Sequence, residues 1–298
     1  MRAPDPALPL VRRMDRLPPL RLRETDAALE LALRLFTEEV RLTLDKGRCI
    51  RCDVCSVVCP RQAVRLLPGE ESLEVAIDPW LCVLCEVCSH FCPVGAITLT
   101  YKGRPKSVLA THQALAPFYP KVELDPGKCP EPCPPLPEGE EHWCRAQRKL
   151  VPNDLTECPK ECRRCLQACP RQALVPDEAS GRPRPEPDLC LRCQRCLTVC
   201  EQGALCVTPQ FKGRVEIDDR KCPPECLKCI HLCPVQVIAR EGPRVYLTAE
   251  TCSLCGVCQA ICDQDAVTLI REEVVAREGS YSHAWEQAVA RLLGTSDR

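Results

Sequence analysis

Residues 49–60 read CIRCDVCSVVCP. Cys49, Cys52 and Cys55 are spaced by two residues, Cys59 follows after three more, and Pro60 closes the run. Spacers this short let one tight loop turn three thiols toward a common point, as soft-ligand metal chemistry requires. The run returns at 81–93 as LCVLCEVCSHFCP, with Cys82, Cys85, Cys88 and Cys92.

Four further quartets follow: Cys158, Cys162, Cys165, Cys169; Cys190, Cys193, Cys196, Cys200; Cys222, Cys226, Cys229, Cys233; and Cys252, Cys255, Cys258, Cys262. The third and fifth open with a three-residue spacer, CPKEC and CPPEC. Zinc sites favour separated C-x2-C pairs instead. The surroundings repeat as well. Each fourth cysteine leads into a small apolar run: CPRQAV, CPVGAI, CPRQAL, CEQGAL, CPVQVI, CDQDAV. Alternating segments such as VRLTLDKGRC and VEIDDRKC precede most first cysteines and read as short strands. Each unit is therefore strand, cysteine loop, short helical turn, strand.

Cysteine accounts for 28 of 298 residues, which points to a disulfide scaffold or a metal protein. The N-terminus, MRAPDPALPLVRRMDRLPPL, has no apolar core segment. Arg12-Arg13 is similar to a twin-arginine export signal, but no hydrophobic stretch follows it. No run approaches the roughly 18 apolar residues of a membrane span, although peripheral membrane association stays open. The expectation is a cytoplasmic chain with reduced thiols. Aromatic residues are only 4 %, so something other than large side chains must hold the fold together.

On these residues the chain resembles the bacterial 2[4Fe-4S] ferredoxin family. The resemblance covers roughly 39–103 and 150–272. It implies that the first three cysteines of each quartet bind one cluster, whose fourth ligand comes from the partner quartet. Carried over, Cys49, Cys52, Cys55 and Cys92 hold one cluster, and Cys82, Cys85, Cys88 and Cys59 its mate. The second pair is Cys158, Cys162, Cys165, Cys200 with Cys190, Cys193, Cys196, Cys169. The third is Cys222, Cys226, Cys229, Cys262 with Cys252, Cys255, Cys258, Cys233. Ligation then replaces much of the missing apolar core. The proline after the fourth cysteine is absent at Glu201 and Asp263, read here as turn caps.

Six clusters leave Cys129, Cys133, Cys144 and Cys206. The segment VELDPGKCPEPC at 122–133 copies VEIDDRKCPPEC at 215–226. Three readings stand open: a seventh [4Fe-4S] cluster on these four cysteines, a zinc or disulfide staple, or idle thiols of a decayed repeat.

The expected fold is α+β, with three tandem ferredoxin-like modules of short strands and cysteine loops and a helix at each end. The segments are 1–38 (arm and helix), 39–103 (first module), 104–149 (linker with extra cysteines), 150–212 (second), 213–272 (third) and 273–298 (C-terminal helix). The N-terminal helix is DAALELALRLF, 26–36, with Glu30 and Arg34 paired. The C-terminal helix is SHAWEQAVARLLG, with Ser282 as N-cap, Gly294 as stop, and Trp285, Val289 and Leu292 on one face. His90 and His231 stand two residues before fourth cysteines and are expected to pack.

No dinucleotide loop and no nucleophile–base arrangement is present, so the chain is not expected to be an enzyme. Six clusters at about −2 each would add about −12 to the formal −1, and no basic stripe with interleaved aromatics argues for nucleic acid. The expected function is a polyferredoxin relaying single electrons between redox protein partners. The alternative is a permanent iron–sulfur subunit of a larger oxidoreductase complex.

Overall fold

The computed structural model describes residues 20–35, 38–68, 72–105, 107–119, 121, 123–124, 141–144, 149–152, 164–176, 183–186, 188–200, 205–248 and 251–295. Cys129, Cys133, Cys158, Cys162 and Glu201 lie outside them, and of Cys144 only the backbone is described.

Strands β1 (Arg21–Glu24), β2 (Ala28–Leu35) and β3 (Glu38–Asp45) open an antiparallel sheet. After β3 come the first cysteine loop, helix α1 (Val54–Val58), the hairpin β4 (Val64–Pro68) and β5 (Leu73–Ile77), the second loop, α2 (Val87–Phe91) and β6 (Ile97–Tyr101). Strand β6 returns to pair with β3, Leu44 opposite Ile97, and β7 (Arg104–Pro105) completes the order β1-β2-β3-β6-β7. A short helix α3 (Val108–Thr111) follows.

In the second pair, β8 (Glu123–Leu124) is followed by a hairpin of β9 (Glu141–Cys144) and β10 (Lys149–Pro152). Then come α4 (Arg164–Ala168), the hairpin β11 (Leu174–Pro176) and β12 (Pro183–Pro185), α5 (Arg195–Thr198) and β13 (Leu205–Cys206). The third pair repeats the scheme with β14 (Phe211–Ile217), α6 (Lys228–Leu232), the hairpin β15 (Ile238–Glu241) and β16 (Arg244–Leu247), α7 (Val257–Ala260) and β17 (Val267–Val274). The chain ends on α8 (His283–Leu292). In all three pairs the flanking strands close on each other: β3 with β6, β8 with β13, β14 with β17. The strand that closes the second pair therefore precedes Cys129.

The expected N-terminal helix is a strand. Leu29, Leu31, Leu33 and Leu35 fall on every second residue, and Leu29 and Leu31 are buried. A period of two fits a sheet face and not a helical stripe. The Glu30–Arg34 helix pair does not form; Glu30 takes Arg41 on β3 at 3.2 Å.

Part of the expected linker packs as core. Leu115 and Ala116 are buried. Ser107 Oγ donates to the buried Glu86 carboxylate at 2.6 Å, and the Leu109 N–H reaches the same oxygen at 3.4 Å. Helix α8 lies on α1 and α2, with Ala288 and Leu292 buried and Trp285 stacked on Phe91 at 5.1 Å. Ser282 stands at its N-cap without capping it; the hydroxyl donates to Ala114 O at 2.6 Å. Gly294 ends the helix at φ +70, the usual left-handed stop. Among the described residues, no helix is long and apolar enough to cross a membrane.

Candidate iron–sulfur sites

Four of the cysteine loops are wound by left-handed residues in their two-residue spacers. Arg51 and Asp53, Leu84 and Glu86, Arg192 and Gln194, Leu254 and Gly256 all have positive φ. No residue between Cys222 and Cys229 does, so the extra residue of CPPEC replaces that contortion. Beyond the fourth cysteine, Gln62, Gly95, Gln172, Gln236 and Asp265 are also left-handed. This kink aims the next N–H back at sulfur. Ala63 donates to Cys59 Sγ at 3.3 Å, Ala96 to Cys92 at 3.2 Å, Ala173 to Cys169 at 3.2 Å and Ala266 to Cys262 at 3.3 Å. The alanines are buried, which explains a small residue at this place. From the loops themselves, Arg192 N–H reaches Cys190 Sγ and Leu254 N–H reaches Cys252 Sγ, each at 3.4 Å.

Thiols from separate loops meet. Burial raises the pKa of Cys49, and Cys92 adds to the rise. Burial, Cys52, Cys88, Cys49 and Cys92 act together on Cys55. Cys88 is raised strongly by burial, then by Cys85, Cys82 and Cys59. Cys196 is pushed up to about 12 by burial and by Cys190, Cys193, Cys169 and Cys165. Cys229 is raised by burial and by Cys222, Cys226 and Cys262. Cys258 is raised by burial and by Cys255, Cys252 and Cys233; Cys252 reaches about 11. In the remaining group, Cys165 packs in one apolar cluster with Cys196 and Cys200.

Two of these groups line pockets outright. Cys233, Cys252, Cys255 and Cys258 surround one, walled by Val235, Val237, Leu254 and Val257. Cys169, Cys190, Cys193 and Cys196 surround another, walled by Leu174, Leu191 and Val207. The pockets hold about 340 and 370 Å³ of atom-free space, part of it open to solvent. Among the described residues, no group of three or more His, Cys, Asp or Glu is disposed around a single metal ion. Thiols gathered this closely, with burial and neighbouring sulfurs raising the pKa at Cys55, Cys88, Cys196, Cys229 and Cys258, can ionise together only around shared positive charge. A multi-iron core supplies that charge, so the donor sets fit a cluster.

Of the leftover cysteines, Cys206 is exposed on β13, opposite Glu123 on β8. Every other described cysteine is buried or half-buried. His90 packs as expected: Nε2–H donates to Ala116 O at 2.9 Å, and the ring stacks on Phe118 at 5.1 Å. Burial lowers its pKa, against a smaller opposing effect of that hydrogen bond. Asp263 pairs with Lys228 instead of capping its turn.

Basic side chains near the thiols carry no motif. Arg240 Nη2 lies 2.8 Å from Cys222 Sγ. Buried Arg192 donates to Tyr119 O at 2.7 Å and Thr208 O at 3.0 Å. Burial lowers the pKa of Lys121, and Cys190 and Cys92 beside it oppose that. Burial likewise lowers that of Arg271, opposed by Cys52 and Cys255. Burial of a cation beside thiols would have been the signal, and it is not visible in one dimension.

The fold and its thiol groups define an iron–sulfur electron carrier. The 4Fe-4S dicluster domain model matches residues 48–96 and again 157–204. A ferredoxin of Methanothermococcus thermolithotrophicus is 40 % identical over 57 residues, 18 % of this chain and 95 % of the relative. An uncharacterised ferredoxin of Methanocaldococcus jannaschii is 39 % identical over 44 residues, 14 % of this chain and 71 % of the relative. The chain belongs to the 2[4Fe-4S] ferredoxin-type family, with more than one module. Its fold is similar to a chain in the formate dehydrogenase–heterodisulfide reductase–formylmethanofuran dehydrogenase complex of Methanospirillum hungatei (TM-score 0.74, 20 % identity, 93 % of this chain and 92 % of that one).

Proposed function

We propose that the protein is a polyferredoxin of three 2[4Fe-4S] modules that relays single electrons through six clusters, without catalysis of its own. The observation that carries this is the recurrence of one thiol group, three cysteines from one loop and one from its partner, across the chain. The ligands are the six sets assigned above by resemblance. Each cluster when bound supplies a one-electron couple. The chain's residues hold the thiols, aim backbone N–H groups at sulfur and exclude water with valine, leucine and alanine walls. On this reading the second module reaches back to β8, since that strand closes on β13. The protein works in the reducing cytoplasm, where thiols stay free.

Likeness to a chain of an oxidoreductase assembly supports the second reading, a permanent electron-transfer subunit of such a complex. Co-purification of stoichiometric partners from the native source would favour it over a freely exchanging carrier.

Iron and acid-labile sulfide, counted on anaerobically reconstituted protein, test the cluster number. Six cubanes give about 24 irons per chain, at four each. A Cys129→Ser/Cys133→Ser/Cys144→Ser variant should hold the same number. If wild type holds about 28 and the variant about 24, a seventh site uses those cysteines. A count near zero or six per chain would sink the relay itself.

A further inference from the structure

On the relay reading, each module has one site turned toward the other modules. For the first it is Cys49, Cys52, Cys55 and Cys92; for the second, Cys190, Cys193, Cys196 and Cys169; for the third, Cys252, Cys255, Cys258 and Cys233.

The first and third modules meet backbone to backbone. A Cβ on Gly256 would stand 3.1 Å from the Cys52 carbonyl oxygen and 3.1 Å from Arg271 Nη2. Cys52, Leu254, Cys255 and Val257 share one buried cluster with Val54 and Phe91. Arg271 is threaded into this seam. Its Nε donates to Leu254 O at 3.1 Å and its Nη2 to Cys255 O at 3.0 Å, and the guanidinium lies 4.8 Å from the Phe211 ring centre. The acidic groups it faces are Cys52, Cys255, Asp53 and Cys258.

The first and second modules meet at Lys121. Its Nζ donates to Pro93 O at 2.5 Å, next to Cys92, and it faces Cys190, Cys92 and Asp188. Arg48 and Asp188 pair across the same seam at 2.9 Å. The second and third modules touch through Arg195 Nη1, which donates to Val235 O at 3.0 Å. Cys193, Cys233 and Cys252 pack against one apolar cluster together with Cys49 and Cys92. Of the other sites, Cys222, Cys229 and Cys262 share a second cluster with Cys233 and Cys258, Cys165 and Cys200 share a third with Cys196, and Cys59, Cys82 and Cys88 stay on the first.

We propose that the three inward sites form a closed three-way junction, with Arg271 lodged between the first and third and Lys121 between the first and second. An electron leaving one module then enters either of the others directly, and the three outward sites are separate terminals. The protein distributes electrons among three docking positions instead of passing them along a row in chain order. Each step moves one electron from a reduced site to an oxidised one and needs no proton or co-reactant. The half-buried cations stabilise the extra negative charge on the sites beside them.

Potentiometric titration followed by electron paramagnetic resonance, on anaerobically reconstituted full-length protein, tests this. Arg271→Gln should move two midpoint potentials to more negative values and leave the rest in place. Arg271→Lys, which keeps the charge, should restore them toward wild type. One moved signal should be missing from a Cys49→Ser/Cys52→Ser/Cys55→Ser variant, and the other from Cys252→Ser/Cys255→Ser/Cys258→Ser. Lys121→Gln should also move two, and the signal moved by both substitutions should be that of Cys49, Cys52, Cys55 and Cys92. If Arg271→Gln moves no potential, moves all equally, or moves two from a single module, the junction is refuted. Iron counts of the same samples separate this from loss of the clusters, which would instead refute the relay.

Discussion

Gln62, Gly95, Gln172, Gln236 and Asp265 hold one place in the repeat, three residues after a fourth cysteine, and share one backbone conformation. A side chain in this left-handed region costs about 1–2 kcal/mol, least for glycine. Here the kink aims an N–H at sulfur, as Ala63 does at Cys59. Gln62→Val should lower unfolding stability by about 1–2 kcal/mol, whereas Gln62→Gly should be tolerated; chemical denaturation of the two reads the difference. His90 offers a pH test. Burial lowers its folded pKa below the usual 6.5. As pH falls below about 6.5 the unfolded chain takes up this proton before the folded one. The contribution is therefore full above 6.5 and is lost as pH drops toward the folded value. His90→Phe should flatten the fall of melting temperature between pH 6.5 and 5; an unchanged slope would remove His90 from the account.

Strands β14 and β17 shift register between Lys212 and Gly213. Gly213 sits at φ +149, and a Cβ there would lie 2.0 Å from the Ile270 carbonyl oxygen. That contact is with backbone, so no rotamer relieves it. Gly213→Ala should cost several kcal/mol or abolish soluble expression, while Gly103→Ala, with open space around it, should cost only the conformational penalty of about 1–2 kcal/mol. Helix α8 is held by its aromatic face. Trp285 meets Phe91, Phe118, His90 and Tyr281 within 6.0 Å between ring centres. Trp285→Ala should lower stability by about 3 kcal/mol, near the low end for aromatic truncation because Trp285 is only half-buried.

Across the whole molecule, ligation and packing are interleaved. Cys92 follows α2, yet it sits with Cys49, Cys52 and Cys55. Crossed ligation predicts that Cys92→Ser unsettles the cluster of those three before that of Cys82, Cys85 and Cys88. Resonance spectra of the reduced variant decide it, and loss of the Cys82 site alone would overturn the crossing. Helix α8 adds a second tie, carrying the end of the third repeat pair back onto the helices of the first. Buried Gln210 does the same, donating to Phe91 O at 3.0 Å. The modules are thus fastened by contacts between residues far apart in the chain, and their chain order says little about their neighbours.

The sequence by itself determined the thiol chemistry, the repeat and the strand–loop–helix–strand unit. These depend on spacings of two or three residues, and a loop that short has few ways to arrange its cysteines. The short apolar run after each fourth cysteine was visible for the same reason, although the N–H contacts of Ala63, Ala96, Ala173 and Ala266 to sulfur were not. Tertiary structure decided the rest. The 28–35 segment has charges at a helical spacing and leucines at a strand spacing; burial against β3 favours the leucines. Arg271, Lys121 and Arg192 look like any surface cation until the modules close over them. Which sites face inward depends on three seams, each formed between loops more than 60 residues apart or by a single basic side chain. Short-range geometry is written locally, but the placement of one module against another is a sum of many weak, distant contacts that no local pattern encodes.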